Sequence, residues 1–401
     1  MDLEGRDLVS IFDLSDPEIE AIFDLADEMS RHVRGRLALA EGLLMCTLFY
    51  EPSTRTRLSF EAAMQRLGGG VISVADVAAT SVAKGETLAD TARIVESYAD
   101  VIVVRNPLEG SAKVVADYAS MPVINAGDGP HEHPTQTLLD LYTIRCEKGK
   151  LAGVSVALVG DLRYGRTAHS LAFGLARFGA RVTLVAPPGL EMPEHLLLKL
   201  EREFDCRPTI RSSLGEMVTD GETGTKRRGR QQTLMAEVLA QFDAVYVTRV
   251  QKERFASEDE YQKVKSSYAI TEEMVRRARP EALVMHPLPR VDELAHGVDR
   301  DPRAVYFRQA AYGLPVRMAL VAAVLGRRSA RVRKARKGDY RPKPRLEVDF
   351  RKVTDLRCGN PRCVTNHERY LAPKFLFVEH AADVVACAYC EHEMAAPKGR
   401  P

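Results

Sequence analysis

The chain has 401 residues, 45% of them hydrophobic and 28% charged, with a formal net charge of +2. That is the profile of a globular protein with room for two or three domains of roughly 100–200 residues. So small a charge gives no global field for nucleic acid, and no apolar run approaches the ~20 residues of a membrane span. The N-terminus, Met1-Asp2-Leu3-Glu4, is acidic and lacks the basic and apolar regions of a signal peptide, so the expected compartment is the cytoplasm. Cys46, Cys146 and Cys206 stand in apolar or helical contexts and read as buried thiols, while the other four cysteines cluster near the C-terminus.

From residue 40 to 325, strand-like apolar runs alternate with helical patterns. The pattern predicts strands over 43–49, 71–75, 101–105, 123–125, 154–160, 181–186, 243–248 and 283–286, with helices between most of them, including 58–67, 88–98, 135–145, 167–178 and 271–279. Such alternation argues for an α/β fold with two doubly wound parallel-sheet domains of four strands each. The expected domains are 1–134, with the final helix 306–326 packing back on it, and 135–305.

The run Glu51-Pro52-Ser53-Thr54-Arg55-Thr56-Arg57 lies between the first strand and the first of these helices. Side-chain donors, free backbone N–H groups and the positive end of a helix dipole converge there, which suits a phosphate. An isolated Ser-Thr-Arg reads equally well as a helix cap beside solvated arginines. The other strand ends argue against that. Arg105 follows the third strand, and Gly127-Asp128-Gly129-Pro130-His131-Glu132-His133-Pro134-Thr135-Gln136 follows the fourth. The second domain delivers Gly160 to Arg166, Thr248-Arg249-Val250-Gln251 and His286-Pro287-Leu288-Pro289-Arg290 at the same kind of position. Open α/β sheets bind ligands beyond the carboxyl ends of their strands, so two such sets facing each other are expected to line a cleft. Arg55, Arg105, Arg166 and Arg249, without a carboxylate cluster for a metal, point to strongly anionic ligands and to catalysis that needs no metal.

Several chemistries are disfavoured. The turn after the fifth strand lacks G-x-G-x-x-G and carries Leu162 and Arg163 where a dinucleotide loop wants glycine. The chain also lacks G-x-x-x-x-G-K-[ST], G-x-S-x-G and H-E-x-x-H.

Ser53-Thr54-Arg55-Thr56-Arg57, His133-Pro134-Thr135-Gln136 and His286-Pro287-Leu288-Pro289 resemble the carbamoyl-phosphate signature of the transcarbamylases. The stretch from residue 1 to about 326 resembles the aspartate carbamoyltransferases in particular. Ornithine carbamoyltransferase is the rival within the family, but those enzymes typically have His-Cys-Leu-Pro where this chain has His286-Pro287-Leu288-Pro289. Ornithine would also bring a cation, a poor neighbour for Arg249.

The resemblance implies roles for the strand-end residues. Ser53, Thr54, Arg55, Thr56 and Arg105 would hold the phosphate of carbamoyl phosphate, with Arg55, Thr56 and His133 on its carbonyl oxygen. Gln136 and the backbone carbonyls of Pro287 and Leu288 would fix the carbamoyl amide. Arg166, Arg249 and Gln251 would grip the carboxylates of L-aspartate. Similar enzymes are trimers with shared active sites and lend Ser81 and Lys84 to a neighbouring subunit. Here the loop is one residue shorter than the two-lysine version associated with the family, and by composition alone it reads as a solvated turn. Arg55, Thr56, His133 and Lys84 are the expected catalytic residues.

Residues 327–350 are rich in Lys and Arg and contain Pro342 and Pro344, so they read as a basic linker, solvated rather than bound to RNA. The basic stretch Lys226 to Arg230 reads as a surface loop. Beyond the linker come Cys358-x4-Cys363, 23 residues, and Cys387-x2-Cys390. Four thiolates make a closed tetrahedral zinc site, structural rather than catalytic. Zinc there could supply about 10–16 kcal/mol of apparent folding energy to a small β module, expected over 351–395. The module resembles the zinc domain of the regulatory chain of bacterial aspartate carbamoyltransferase, here fused in cis and without the nucleotide-binding domain that precedes it there. The expected function is therefore transfer of a carbamoyl group to aspartate, with assembly through the zinc modules. A zinc-ribbon RNA-binding protein on an inactive transferase fold is the reading from another class.

Overall fold

The computed structural model describes residues 3–74, 81–211, 241–249, 269–328, 332–336, 338–342, 347–348, 356–378 and 383–396. The chain forms two compact units, Met1–Thr135 with Leu314–Pro401, and Gln136–Gly313.

The first unit begins with helix α1 (Asp16–Ser30). The sequence reading did not single it out, although Ser15 and Glu18 form a capping box, with Glu18 Oε2 accepting from the Ser15 backbone N–H at 2.7 Å. Strand β1 (Leu44–Phe49) leads into α2 (Thr54–Leu67), and β2 (Gly70–Val74) follows. Then come α3 (Leu88–Val95), β3 (Val101–Asn106), α4 (Ser111–Tyr118) and β4 (Val123–Asp128). The strands make a four-stranded sheet in the order β2-β1-β3-β4, and each neighbouring pair is parallel. β3 and β4 are buried along their whole length, which is why they read as continuous apolar runs rather than alternating ones.

Helix α5 (Pro134–Lys148) runs into the second unit. There β5 (Ser155–Val159), α6 (Arg166–Arg177), β6 (Arg181–Val185), α7 (Glu194–Phe204), β7 (Thr209–Arg211), β8 (Ala244–Val247), α8 (Glu272–Arg277) and β9 (Leu283–Met285) follow. The sheet is parallel, in the order β7-β6-β5-β8-β9. It has five strands where four were expected. The extra one, β7, is a three-residue edge strand with no fully buried residue, so it leaves no apolar run to read. Helix α9 (Tyr306–Val324) returns to the first unit. Its residues from Val316 on are buried, Gly5 N–H donates to the Val324 carbonyl at 2.9 Å, and the Arg317 guanidinium stacks 5.0 Å from the Phe60 ring.

The chain ends in a small antiparallel sheet, β10 (Glu347–Val348), β11 (Phe375–Phe377), β12 (Val384–Cys387) and β13 (Glu393–Ala395), paired in that order. Its first strand thus lies inside the stretch read as linker. That stretch is also less free than a solvated connector. Arg333 ion-pairs with Glu20 of α1 and with Asp339, Tyr340 N–H donates to Asp16 Oδ2 at 2.7 Å, and the Tyr340 ring meets Phe12 edge-on at 5.8 Å. A second correction concerns the thiols. Cys46 is buried, but Cys146 is exposed near the end of α5 and Cys206 is only half-buried, because a helical apolar context does not say which face a residue occupies.

The small sheet seats on α3 and α4 through a shared core in which Leu88 and Val114 meet Val364, Leu371, Phe375 and Val385. Backbone bonds join the two: Glu109 N–H donates to the Arg362 carbonyl at 3.0 Å, and Val364 N–H donates back to Glu109 at 2.9 Å. The Asn360 amide donates to Glu109 Oε2 at 2.7 Å, and Ala89 N–H donates to the Tyr370 hydroxyl at 3.1 Å. Gly110 has φ +85°, and a Cβ there would stand 2.7 Å from the Tyr389 backbone. Gly110→Ala should therefore strain both backbone and interface and lower stability by about 1–3 kcal/mol. Denaturant unfolding of the full chain checks this, and an unchanged midpoint would mean the seating contributes nothing.

Candidate active site and metal centre

In the first unit the ends of β1 and β3 are tied together, since Tyr50 N–H donates to the Arg105 carbonyl at 2.8 Å. The loop that enters α2 therefore starts beside Arg105. Ser53 is the N-cap residue, with extended backbone (φ −159°), and its side chain makes no capping bond. Its hydroxyl is left available, as are the N–H groups of the first helical turn, which have no intrahelical partner. Thr54 and Arg55 are exposed and Thr56 is buried. Partial desolvation lowers the pKa of Arg55, though a guanidinium stays charged in proteins. Arg57 points along the helix to Glu61, at 3.5 Å.

Arg105 is 8% exposed. Its guanidinium donates to the Ala126 carbonyl at 3.2 Å and to Glu51 Oε1 at 3.0 Å. Glu51 is thus the countercharge, a pairing the sequence reading did not foresee although the residue opens the same motif. The turn after β4 is organised by Asp128, which accepts from the Asn125 amide (3.0 Å), Glu132 N–H (3.1 Å), Gly110 N–H (2.9 Å) and His131 Nδ1 (3.0 Å). This turn delivers His133, buried at the start of α5 with the Thr135 hydroxyl 3.5 Å from its Nδ1.

In the second unit Gln136 donates through Nε2 to Asp140 Oδ1 at 2.9 Å. Asp140 is fully buried and also accepts from the Gln309 amide (2.6 Å) and the Tyr246 hydroxyl (2.8 Å). Gln309 in turn accepts the backbone N–H of His286 at 3.0 Å. His286 Nδ1 accepts from Leu288 N–H at 2.7 Å, so its proton sits on Nε2 and is donated to Glu293 at 2.8 Å. These bonds hold the Pro287-Leu288 backbone in an unusual path, with Leu288 at φ +52° and a cis Leu288–Pro289 peptide. Burial alone would raise the Glu293 pKa, but the His286 hydrogen bond and backbone N–H groups outweigh it and hold it low. Asp140, Tyr246, Glu293 and Gln309 escaped the sequence reading because nothing in their local spacing marks them as partners.

Arg290, the last residue of that cluster, is occupied internally. It ion-pairs with Asp299, donates to the Tyr306 hydroxyl at 3.0 Å and stacks on the Tyr306 ring at 5.3 Å. Arg166 opens α6 after a turn in which Asp161 Oδ1 accepts from Arg163 N–H (3.1 Å) and Tyr164 N–H (2.9 Å). At Gly160 (φ +118°) a Cβ would lie 2.5 Å from the Thr248 carbonyl, so only glycine lets the ends of β5 and β8 approach this closely. Arg249 follows Thr248 and is half-buried. Gln251, Val250 and the basic stretch 226–230 lie outside the described residues. Ser81 and Lys84 stand exposed on one 3-10 turn, Ser81–Lys84.

The four C-terminal cysteines converge. The Sγ atoms of Cys358, Cys363, Cys387 and Cys390 are buried and lie within 4.8 Å of one another, with Cys358–Cys390 at 3.5 Å and Cys363–Cys387 at 3.7 Å. A tetrahedral ion with metal–sulfur bonds of about 2.3 Å needs sulfurs roughly 3.8 Å apart, so the cluster fits one. The Thr365 hydroxyl lies 3.1 Å from Cys363 Sγ, and the Asn366 amide donates to the Cys358 carbonyl at 3.0 Å, bracing the loop that carries the first pair. With all four positions filled by protein, such an ion has a structural role.

Residues 6–146 match the aspartate/ornithine carbamoyltransferase carbamoyl-P binding domain, and residues 152–324 match the Asp/Orn binding domain of the same enzymes. Residues 351–398 match the metal binding domain of the aspartate carbamoyltransferase regulatory chain. The aspartate carbamoyltransferase catalytic subunit of Thermoplasma acidophilum is 48% identical over 326 residues, covering 81% of this chain and 99% of its own length. That of Archaeoglobus fulgidus is 48% identical over 322 residues, covering 80% and 99%. Among solved structures, the M. jannaschii aspartate transcarbamoylase catalytic subunit superposes with a TM-score of 0.71 at 44% identity, over 80% of this chain and 98% of that one. Aspartate transcarbamoylase from Trypanosoma cruzi, in complex with carbamoyl phosphate and aspartate, superposes with a TM-score of 0.71 at 40% identity, over 80% and 96%. The chain belongs to the aspartate/ornithine carbamoyltransferase family and carries in addition a metal-binding domain of the regulatory-chain type.

Proposed function

We propose that the protein transfers the carbamoyl group of carbamoyl phosphate to L-aspartate, giving N-carbamoyl-L-aspartate and phosphate. The observation that supports this most directly is the α2 N-terminus. Ser53, Thr54, Arg55 and Thr56 gather there beside Arg105, whose buried charge Glu51 compensates. The phosphate would settle among these groups, with Arg55, Thr56 and His133 directed at the carbonyl oxygen. Gln136 and the carbonyls of Pro287 and Leu288 would take the amide, and Arg166, Arg249 and Gln251 the aspartate carboxylates. The relatives named above are aspartate carbamoyltransferases, which favours aspartate over ornithine as acceptor.

The chemistry follows from charge. The aspartate amine attacks the carbamoyl carbon, negative charge grows on the carbonyl oxygen, and the C–O bond to phosphate breaks with its electron pair leaving on phosphate. The amine proton passes to the departing phosphate. Donors that meet the growing charge stabilise the transition state more than the substrate, each by about 3–4 kcal/mol when held in place. A neutral His133 with one N–H suffices as such a donor, and no metal takes part in the reaction. Holding two anions in reach of each other adds a proximity advantage of several kcal/mol, on the order of 7–11 at best.

The four-thiolate cluster is proposed to hold Zn2+, an ion matched to four sulfur ligands; elemental analysis of the purified chain checks its identity. The chain is proposed to work in the cytoplasm, where the thiols stay reduced. It is further proposed to assemble as a trimer in which Ser81 and Lys84 complete a neighbour's site. Mixing Lys84→Ala chains with Arg55→Ala chains should then restore activity that neither variant has alone, because some sites in the hybrid regain both residues. A mixture as inactive as its components would mean each chain works by itself.

Arg55→Ala should lower kcat by about 10²–10³-fold with little change in stability. A colorimetric assay for carbamoyl aspartate, with ornithine as control acceptor, measures this. Equal turnover of ornithine, or an undiminished rate in the variant, would refute the assignment.

A further inference from the structure

A second cluster of metal-ligating side chains lies where the metal-binding module meets the turn after β4. His131 and Glu132 come from that turn, and Glu391 comes from the residue after Cys390, held at φ +56°. One ligand atom from each lies within 4.8 Å of the others. All three belong to the first compact unit. We propose that His131, Glu132 and Glu391 form a second metal site, which takes a divalent first-row transition ion through one imidazole nitrogen and two carboxylate oxygens.

Three observations carry the proposal. The first is the orientation of the imidazole. His131 Nδ1 lies 3.0 Å from Asp128 Oδ2, so Nδ1–H donates to the carboxylate and the other ring nitrogen is the one offered. A carboxylate behind a histidine is the arrangement that fixes the tautomer of a metal ligand and raises its basicity. The second is Nε2 itself, a buried atom with no hydrogen-bond partner among the described residues. The His131 side chain is 11% exposed and that of Asp128 1%, so solvent offers Nε2 little compensation. The third is that Glu132 is already aimed. Its two oxygens accept from the Ser10 hydroxyl at 2.7 Å and from Ile11 N–H at 3.0 Å.

The field in the pocket is strongly negative. Asp128, Glu132 and Glu391 all act on the His131 ring as negatively charged neighbours. Such a pocket calls for a cation. Bonds of about 2.0–2.2 Å to Zn2+ place tetrahedral N and O ligands roughly 3.4 Å apart, so small side-chain rotations close the site. An imidazole among carboxylates suits Zn2+, Mn2+ or Co2+ rather than Ca2+ or Mg2+, which prefer oxygen alone. The ion would staple the turn that ends in His133 to the module that carries Cys390.

The site goes beyond the proposed reaction, and its test does not depend on it. The full chain, with its four-thiolate centre intact, is equilibrated with excess Zn2+, freed of loose metal by gel filtration and analysed for metal content. Wild type should retain two ions per chain, and His131→Gln and Glu391→Gln one each, with all four cysteines untouched. Co2+ added to wild type that carries a single equivalent of Zn2+, held by the four cysteines, should give d–d absorption without a thiolate charge-transfer band, and the His131→Gln spectrum should lack it. A single ion in wild type would show that a proton alone fills the pocket and would overturn the proposal. So would two ions retained by both variants.

Discussion

A buried arginine needs a countercharge, and the countercharges constrain the rest of the structure. Arg105 is the clearest case. Its guanidinium is buried, and an unpaired buried charge costs several kcal/mol. Glu51, at 3.0 Å, removes that cost and aims the fork. The Tyr50–Arg105 backbone bond keeps the two strand ends together, so that helix α2 begins where Arg105 ends its strand.

The second unit meets a related constraint with mostly neutral groups. An amide such as Gln136 has no charge to fix its direction, so a buried carboxylate does it instead. Asp140 collects Gln136, Gln309 and Tyr246, and Gln309 passes the order on to the His286 backbone. His286 and Glu293 then set the path of Pro287 and Leu288. Each member satisfies the next, which is what makes a buried polar network tolerable. The C-terminal module illustrates the complementary problem, too little core of its own. It shares hydrophobic residues with α3 and α4 and gathers four cysteine sulfurs at its centre, a set that a metal ion can cross-link in a small scaffold.

Much of this was legible in the residues. The eight expected strands are all present, because buried parallel strands are short apolar runs bounded by polar turns. The arginines and hydroxyls stood out because they follow those runs directly. What was missed is instructive. β7 is too short and too exposed to leave a hydrophobic signature. α1 announces itself only through Ser15 and Glu18. Cys146 was misplaced because it lies in a helix whose neighbours are mostly buried while its own face is exposed. The basic stretch after α9 looked solvated by composition, yet Arg333 and Tyr340 find partners on α1 and in the segment before it.

By itself the sequence determined the alternation of strands and helices, the family, the donor groups at the strand ends and the four-cysteine spacing. Each of these is written within a short window of chain, where periodicity and turn residues act locally. Only the tertiary structure decided which carboxylate answers which donor. Glu51 and Arg105 are 54 residues apart, Asp140 and Gln309 are 169 apart, and Glu109 meets Asn360 across 251 residues. Such pairs follow from how sheets and helices pack, and Coulomb and hydrogen-bond forces at contact distance leave no local trace in the order of residues.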